Sequence, residues 1–214
     1  MNCLVAGSTG LVGSLLIDEL LGSGSKVEAL SRKVLTSNNQ LLNYHRINFE
    51  DLSTYKDLFI DITDVFICLG TTIKKAGSQK AFYNVDVNYC HVIAKAASEA
   101  GVPNLSIVTS IGADSNSKNF YLKCKGEIED KISELKFDSI SIFRPGLLIG
   151  ERQERRVAEA FGQIIQPRFI DPLLRGSSSK YRSVRGLDLA KSLKQFSGKK
   201  PGKNIYQYQD FLVG

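Results

Sequence analysis

An apolar run, Cys3 to Ala6, breaks at once into Gly7-Ser8-Thr9-Gly10-Leu11-Val12-Gly13, and that string opens directly into a stretch of helical period. The spacing alone says little, because 18 glycines in 214 residues produce roughly 0.13 such matches by chance. Its position says much more. Between a first strand and a first helix, missing Cβ atoms let the backbone turn tightly and approach a pyrophosphate, with helix N-terminal amides aimed at it. A turn that only joined strand to helix would not need three glycines at this spacing. Gly7, Ser8, Thr9, Gly10, Leu11, Val12 and Gly13 are therefore expected to seat a dinucleotide.

The rest of the chain suits that start. Strands are expected at Cys3 to Ala6, Lys26 to Leu30, Leu42 to Ile47, Val65 to Leu69, Leu105 to Thr109 and Ser139 to Phe143, with a last one at Asn204 to Tyr208. Helical periodicity fills the gaps. Leu11 to Leu21 ends at Gly22, while Phe82, Val85, Tyr89, Val92, Ala96 and Ala100 read as one amphipathic helix stopped by Gly101 and Pro103. Further helices are expected at Phe120 to Leu135, about Glu154 to Ile165, and Gly186 to Phe196, with a long loop over 166–183. This alternation predicts an α/β fold, a doubly wound parallel sheet. Residues 1–214 read as a single domain in which 150–214 contribute a small C-terminal cap on the substrate side.

Composition narrows the function classes. Cys3, Cys68, Cys90 and Cys124 are far apart, and His45 and His91 are isolated, so no metal cluster is expected. Four reduced thiols point to the cytoplasm. The N-terminus shows no basic segment leading an apolar core, and no apolar run nears about 18 residues, so neither a secretion signal nor a membrane span is expected. The net charge of +6 resides in residues 150–214, which carry 13 Lys and Arg against 6 Asp and Glu. These cations are scattered without interleaved aromatics, which argues against nucleic acid and for a solvated or partner-binding face.

Selectivity is read at the second strand's tip. NAD-preferring sites tend to place Asp or Glu there to accept from the ribose 2′-hydroxyl. Here the tip is Leu30-Ser31-Arg32-Lys33. Two cations and a hydroxyl suit a 2′-phosphate, so NADPH is favoured over NADH. After the third strand, Asp51 beside Leu52 is placed either to bond the adenine amino group or to cap a helix. Leu69, Gly70 and Thr71 end the fourth strand where strand order should reverse, which is where open α/β sheets bind ligands.

One Tyr-x-x-x-Lys occurs, at Tyr121 and Lys125, against roughly 0.7 expected by chance. Its placement adds the information. Tyr121, Lys125, Ile128, Ile132 and Leu135 form one helical stripe facing the sheet, so Lys125 pays desolvation unless something polar or anionic meets it. Ribose hydroxyls or an acidified phenol would serve. A lone ammonium about 4 Å from a phenol, at an effective dielectric of about 20, would lower the phenol's pKa by roughly three units. Upstream, Ser110, with Thr109 in reserve, leaves the fifth strand at the same edge and could hold a carbonyl oxygen.

With these residues in view, the chain resembles the atypical short-chain dehydrogenase/reductases, and among them the small oxidoreductases related to the HIV Tat-interacting protein. The matching strings are GSTGLVG (7–13), CLGTTIKKAGS (68–78), TSIGADSNSKNFYLKCKGEIE (109–129) and FRPGLLIGERQE (143–154). The resemblance implies a Rossmann core binding NADPH, a Ser-Tyr-Lys set on Ser110, Tyr121 and Lys125, and a segment Arg144-Pro145-Gly146-Leu147-Leu148 passing the nicotinamide. It thus implies hydride exchange with a carbonyl or alcohol substrate. The alternative is a non-catalytic NADPH-binding regulator with a protein partner. Because Arg152 follows the cofactor-bordering strand and Gly150, it is the expected contact for an anionic substrate.

Overall fold

The structure, a computed structural model, describes residues 1–50, 57–150, 174 and 176–211. Its strands are β1 (Asn2–Ala6), β2 (Lys26–Ser31), β3 (Leu42–Arg46), β4 (Asp64–Ile67), β5 (Asn104–Val108), β6 (Ser139–Phe143), the short pair β7 (Leu148–Ile149) and β8 (Val184–Arg185), and β9 (Gly202–Tyr206). Between them run α1 (Leu11–Gly22), α2 (Ile73–Ala76), α3 (Gln79–Tyr83), α4 (Cys90–Glu99), α5 (Phe120–Ser133) and α6 (Gly186–Phe196). Seven strands form one parallel sheet in the order β3-β2-β1-β4-β5-β6-β9. This is a doubly wound Rossmann fold. Strand order reverses between β1 and β4, so a crevice opens beyond their carboxyl ends.

Alternation along each strand builds two cores. Leu4, Ala6, Val65, Ile67, Leu105, Ile107, Ile140 and Ile142 face one way, against Ile93, Ala94 and Ala97 of α4 and Ile128 and Ile132 of α5. Cys3, Val5, Val27, Ala29, Phe66 and Phe143 face the other, against Leu16, Ile17 and Leu20 of α1 and Leu189, Ala190 and Leu193 of α6. Each fully buried aliphatic side chain contributes about 1.5–3 kcal/mol. Residues 186–206 thus join the main layers, with α6 packed beside α1 and β9 completing the sheet.

Two departures from the expected pattern matter for the site. The helix expected over 82–100 is broken by a π-helical turn, Asn84–Tyr89. Its wider i to i+5 winding shifts the helical phase, so the buried residues downstream are Cys90, Ile93, Ala94 and Ala97, while Val92 and Ala100 are exposed. The second is the parallel β7–β8 pair, joining segments 36 residues apart at Leu148 and Val184. The expected helix near 154–165, and Asp51, Leu52 and Arg152, lie outside the described residues.

Candidate cofactor and active site

The glycine turn is built by contact as well as by conformation. Gly7 has φ +86°, and a Cβ there would lie 2.5 Å from the Cys68 carbonyl; a Cβ on Gly13 would lie 2.2 Å from the Gly7 oxygen. The turn can therefore pass the end of β4 only with glycine at position 7, and helix α1 can seat against the turn only with glycine at position 13. Gly10 is the N-cap of α1 and supplies no side-chain cap, and the helix's first turn borders a cavity through Gly10, Leu11 and Val12. Such a cradle fits an anionic pyrophosphate. Ser8 lies beneath it, its buried hydroxyl donating to the Leu30 carbonyl at 2.8 Å, which ties the turn to β2.

Two cavities of about 410 Å³ each share this turn. The first lies over Gly7, Thr9 and Gly10 and is bordered by Arg32, Phe49, Leu69, Gly70, Thr71 and Tyr89. Arg32, at the tip of β2, is thus one wall of this cavity. Lys33 is exposed and does not border the cavity, and the Ser31 hydroxyl instead accepts from the Lys33 amide at 3.0 Å, shaping the turn. The second cavity is lined by Gly10, Leu11, Val12, Ser110, Tyr121, Lys125 and Pro145 to Leu148. Tyr121 is 37% exposed. The described structure therefore brings Ser110, Tyr121 and Lys125 to one space beside the glycine turn.

Sequence reading missed the residue at the centre of that space. Asp86, on the π turn, accepts from Lys125 Nζ at 2.7 Å through Oδ1 and from the Thr71 amide at 3.0 Å through Oδ2. Both side chains are nearly sealed, at 6% exposure for Lys125 and 1% for Asp86. The anion expected to meet Lys125 is thus this carboxylate, rather than a ligand hydroxyl or a phenol alone. Burial disfavours the ammonium, but Asp86, followed by Tyr121 and Cys90, more than offsets it, so the Lys125 pKa lies above the usual lysine value. Lys125 Nζ is 5.8 Å from the Tyr121 ring centroid. The ammonium is therefore not a lone charge beside the phenol, because Asp86 is paired with it. A signal for Asp86 was present: it sits four residues after Phe82 and four before Cys90, a carboxylate on an apolar stripe that needs a partner.

A second buried network holds the site's walls. Glu129, one turn beyond Lys125 on α5, takes the Thr109 hydroxyl at 2.6 Å and the Arg144 guanidinium through both Nε, at 3.0 and 3.2 Å, and Nη2. Thr109 and Arg144 are therefore committed to Glu129. Arg144 does not border either cavity, while Pro145, Gly146, Leu147 and Leu148 border the second. Among the described residues no group of His, Cys, Asp and Glu could hold a metal. His45 pairs with Glu28 across β2 and β3.

Comparison with known proteins agrees with this geometry. The family described as NAD(P)H-binding matches residues 7–164. The protein HTATIP2 of Rattus norvegicus is 39% identical over 163 residues, covering 74% of this chain and 67% of that protein. The mitochondrial protein FMP52 of Candida albicans is 31% identical over 224 residues, covering 100% of this chain and 97% of that protein. Among solved structures, MoeE5 in complex with UDP-glucose and NAD superimposes with a TM-score of 0.73 at 17% identity, covering 99% of this chain and 80% of that one. From the glycine cradle, the sheet order and these relatives together, the chain belongs to the NAD(P)H-binding Rossmann family and is a homologue of HTATIP2 and FMP52.

Proposed function

We propose that this protein is an NADPH-dependent oxidoreductase of the short-chain dehydrogenase/reductase type, acting on a carbonyl or alcohol substrate. The observation that carries the reading is that Ser110, Tyr121 and Lys125 border one cavity with Gly10, Leu11 and Val12 of the cofactor cradle. The cofactor would be held by the glycine turn, by Leu69, Gly70 and Thr71, by Arg32 at the 2′-phosphate, and by Lys125 at the ribose; Asp51 and Leu52 are proposed at the adenine. When bound, the nicotinamide supplies or accepts a hydride at the substrate carbon. Ser110 donates its hydroxyl to the carbonyl oxygen, Tyr121 gives that oxygen a proton on reduction or takes it on oxidation, and Lys125 stabilises charge on the phenol oxygen. Pro145 to Leu148 wall off water on the opposite side.

An anionic substrate is proposed as well. Lys75 borders both cavities, and Arg152 is proposed as a further contact. Residues 150–214 are proposed to include the substrate-side cap. Reduced thiols support a reducing compartment, here proposed as the cytoplasm; the fungal relatives carry mitochondrial names, and cell fractionation decides between them. Among the described residues no helix is long and apolar enough to cross a membrane.

Turnover is tested by following NADPH oxidation with a panel of aldehydes and ketones, neutral and anionic. Tyr121→Phe should cut the rate by about 100-fold or more while leaving NADPH affinity within about twofold, because only the proton donor is removed. Lys125→Ala should damage both. NADPH binding without turnover of any carbonyl would favour the second reading, a regulator that binds cofactor and a protein partner; the neutralisation of Lys125 by Asp86 is the observation on that side.

A further inference from the structure

Outside the Ser-Tyr-Lys set, one acidic group among the described residues lines the second cavity from a separate element. Asp86 is fixed on the π turn, and its two oxygens are each used once, by the Lys125 ammonium and by the Thr71 amide. Through them it links three parts of the site: helix α5, the turn after β4, and the π turn itself. Gly70 lies beside it, where a Cβ would make an ordinary contact of 3.8 Å with Asp86 Oδ1. We propose that Asp86 is a positioning residue of this site, which keeps Lys125 an ammonium inside a desolvated pocket and holds it at a fixed place against the Thr71 turn. The proposal rests on the oxidoreductase reading for its consequence, though not for its test.

The physical reason is the burial of the pair. An amine sealed from water sheds its proton unless an anion is in contact with it, and buried lysines without one titrate several units low. The other groups around Lys125 cannot take that role. Tyr121 on its own helix is a phenol, and burial pushes the thiols of Cys90 from α4 up to about 12 and of Cys124 up to about 11, so neither thiol supplies a charge. Lys75, which borders the same cavity from α2, is a cation and opposes a second one. Asp86 alone supplies the charge among the described residues lining that cavity. Without it, burial would act on Lys125 and disfavour its ammonium form, and neither a ribose hydroxyl nor the Tyr121 oxygen would meet a constant partner.

The test is NMR of the full chain labelled with 13C and 15N in lysine, following the Lys125 side-chain signal with pH, its assignment fixed by Lys125→Met. In wild type the signal should hold its ammonium position up to pH about 10. In Asp86→Asn, whose amide can still accept from Thr71, the midpoint should fall by about two units or more; Asp86→Glu should restore most of it. A Lys125 midpoint in Asp86→Asn equal to wild type overturns the proposal. If Asp86→Asn does not fold, the double variant Asp86→Asn/Lys125→Met removes both charges and should fold again; failure of the double variant as well overturns the proposal. The expected titration together with no turnover of any carbonyl supports the proposal and counts against the oxidoreductase reading, so the two fail separately.

Discussion

Arg144 and Glu129 are joined twice over, the carboxylate taking both Nε and Nη2 of the guanidinium, with the Thr109 hydroxyl as a third donor. The pair spans from the end of β6 to the middle of α5. It thereby connects the strand end before Pro145 with the helix that carries Tyr121 and Lys125, and Thr109 adds the strand end before Ser110. A buried bidentate pair of this kind is geometrically specific as well as strong.

Cutting this brace should be expensive. Glu129→Ala leaves the Arg144 guanidinium with no anion in a mostly buried place, and a loss of about 3–5 kcal/mol in unfolding free energy is expected. Urea denaturation measures it. Arg144→Lys should also lose stability, because an ammonium cannot reproduce two parallel bonds; a Glu129→Ala protein as stable as wild type would show the network to be incidental.

The glycine turn makes a sharper contrast. Gly13→Ala places a Cβ 2.2 Å from the Gly7 carbonyl oxygen, an overlap that should cost about 1–3 kcal/mol or more and weaken dinucleotide binding with it. Gly22, by comparison, has open space around it, so Gly22→Ala should be neutral or stabilising by up to about 1 kcal/mol. Thermal unfolding and cofactor titration of the two variants give the comparison. Equal behaviour would mean that the turn relaxes freely.

Cofactor choice should depend on one cation of the two at the β2 tip. Arg32 borders the cavity and Lys33 does not. Arg32→Ala is expected to lower the NADPH to NADH affinity ratio about tenfold, the loss of one charge-assisted contact, while Lys33→Ala should change it less than about twofold. Calorimetry with both cofactors decides, and a ratio insensitive to Arg32 removes the argument for NADPH.

The thiols should be silent in the folded chain. Burial pushes Cys3, Cys68 and Cys90 up to about 12, and Cys124 up to about 11. At pH 8 the thiolate fraction is then on the order of one in a thousand or less, so a disulfide reagent should label none quickly until denaturant is added, and then all four. The sign for stability follows. Unfolded thiols lose their protons near pH 9 while folded ones hold them, so unfolding free energy should fall as pH rises from about 9 toward 12. Rapid labelling of the native protein at pH 8 would contradict the burial argument.

What sequence alone determined was local in origin. The strand, the glycine turn and α1 follow from neighbours in the chain, because a short apolar run, absent Cβ atoms and a helical stripe act within one or two turns. The β6 and α6 bounds were legible as Ser139–Phe143 and Gly186–Phe196 for the same reason. Tyr121, Lys125 and Ser110 stood out as candidates since residue type, spacing and strand position were all visible.

Tertiary structure decided what depends on distant partners. Asp86 meets Lys125 across 39 positions, and no periodicity announces a bond between two helices. The π turn changes the phase of a helix by one residue, which an α-helical reading of Val85, Tyr89 and Val92 cannot anticipate. Gly146 shows the same limit. A Cβ there would lie 2.4 Å from the Arg182 carbonyl, a close approach created only when the β7–β8 pair draws remote segments together. Arg144, which the family resemblance implied passes the nicotinamide, is paired with Glu129 across 15 positions, and that partner was not visible in the sequence because a sealed carboxylate finds its cation only once α5 packs on the sheet.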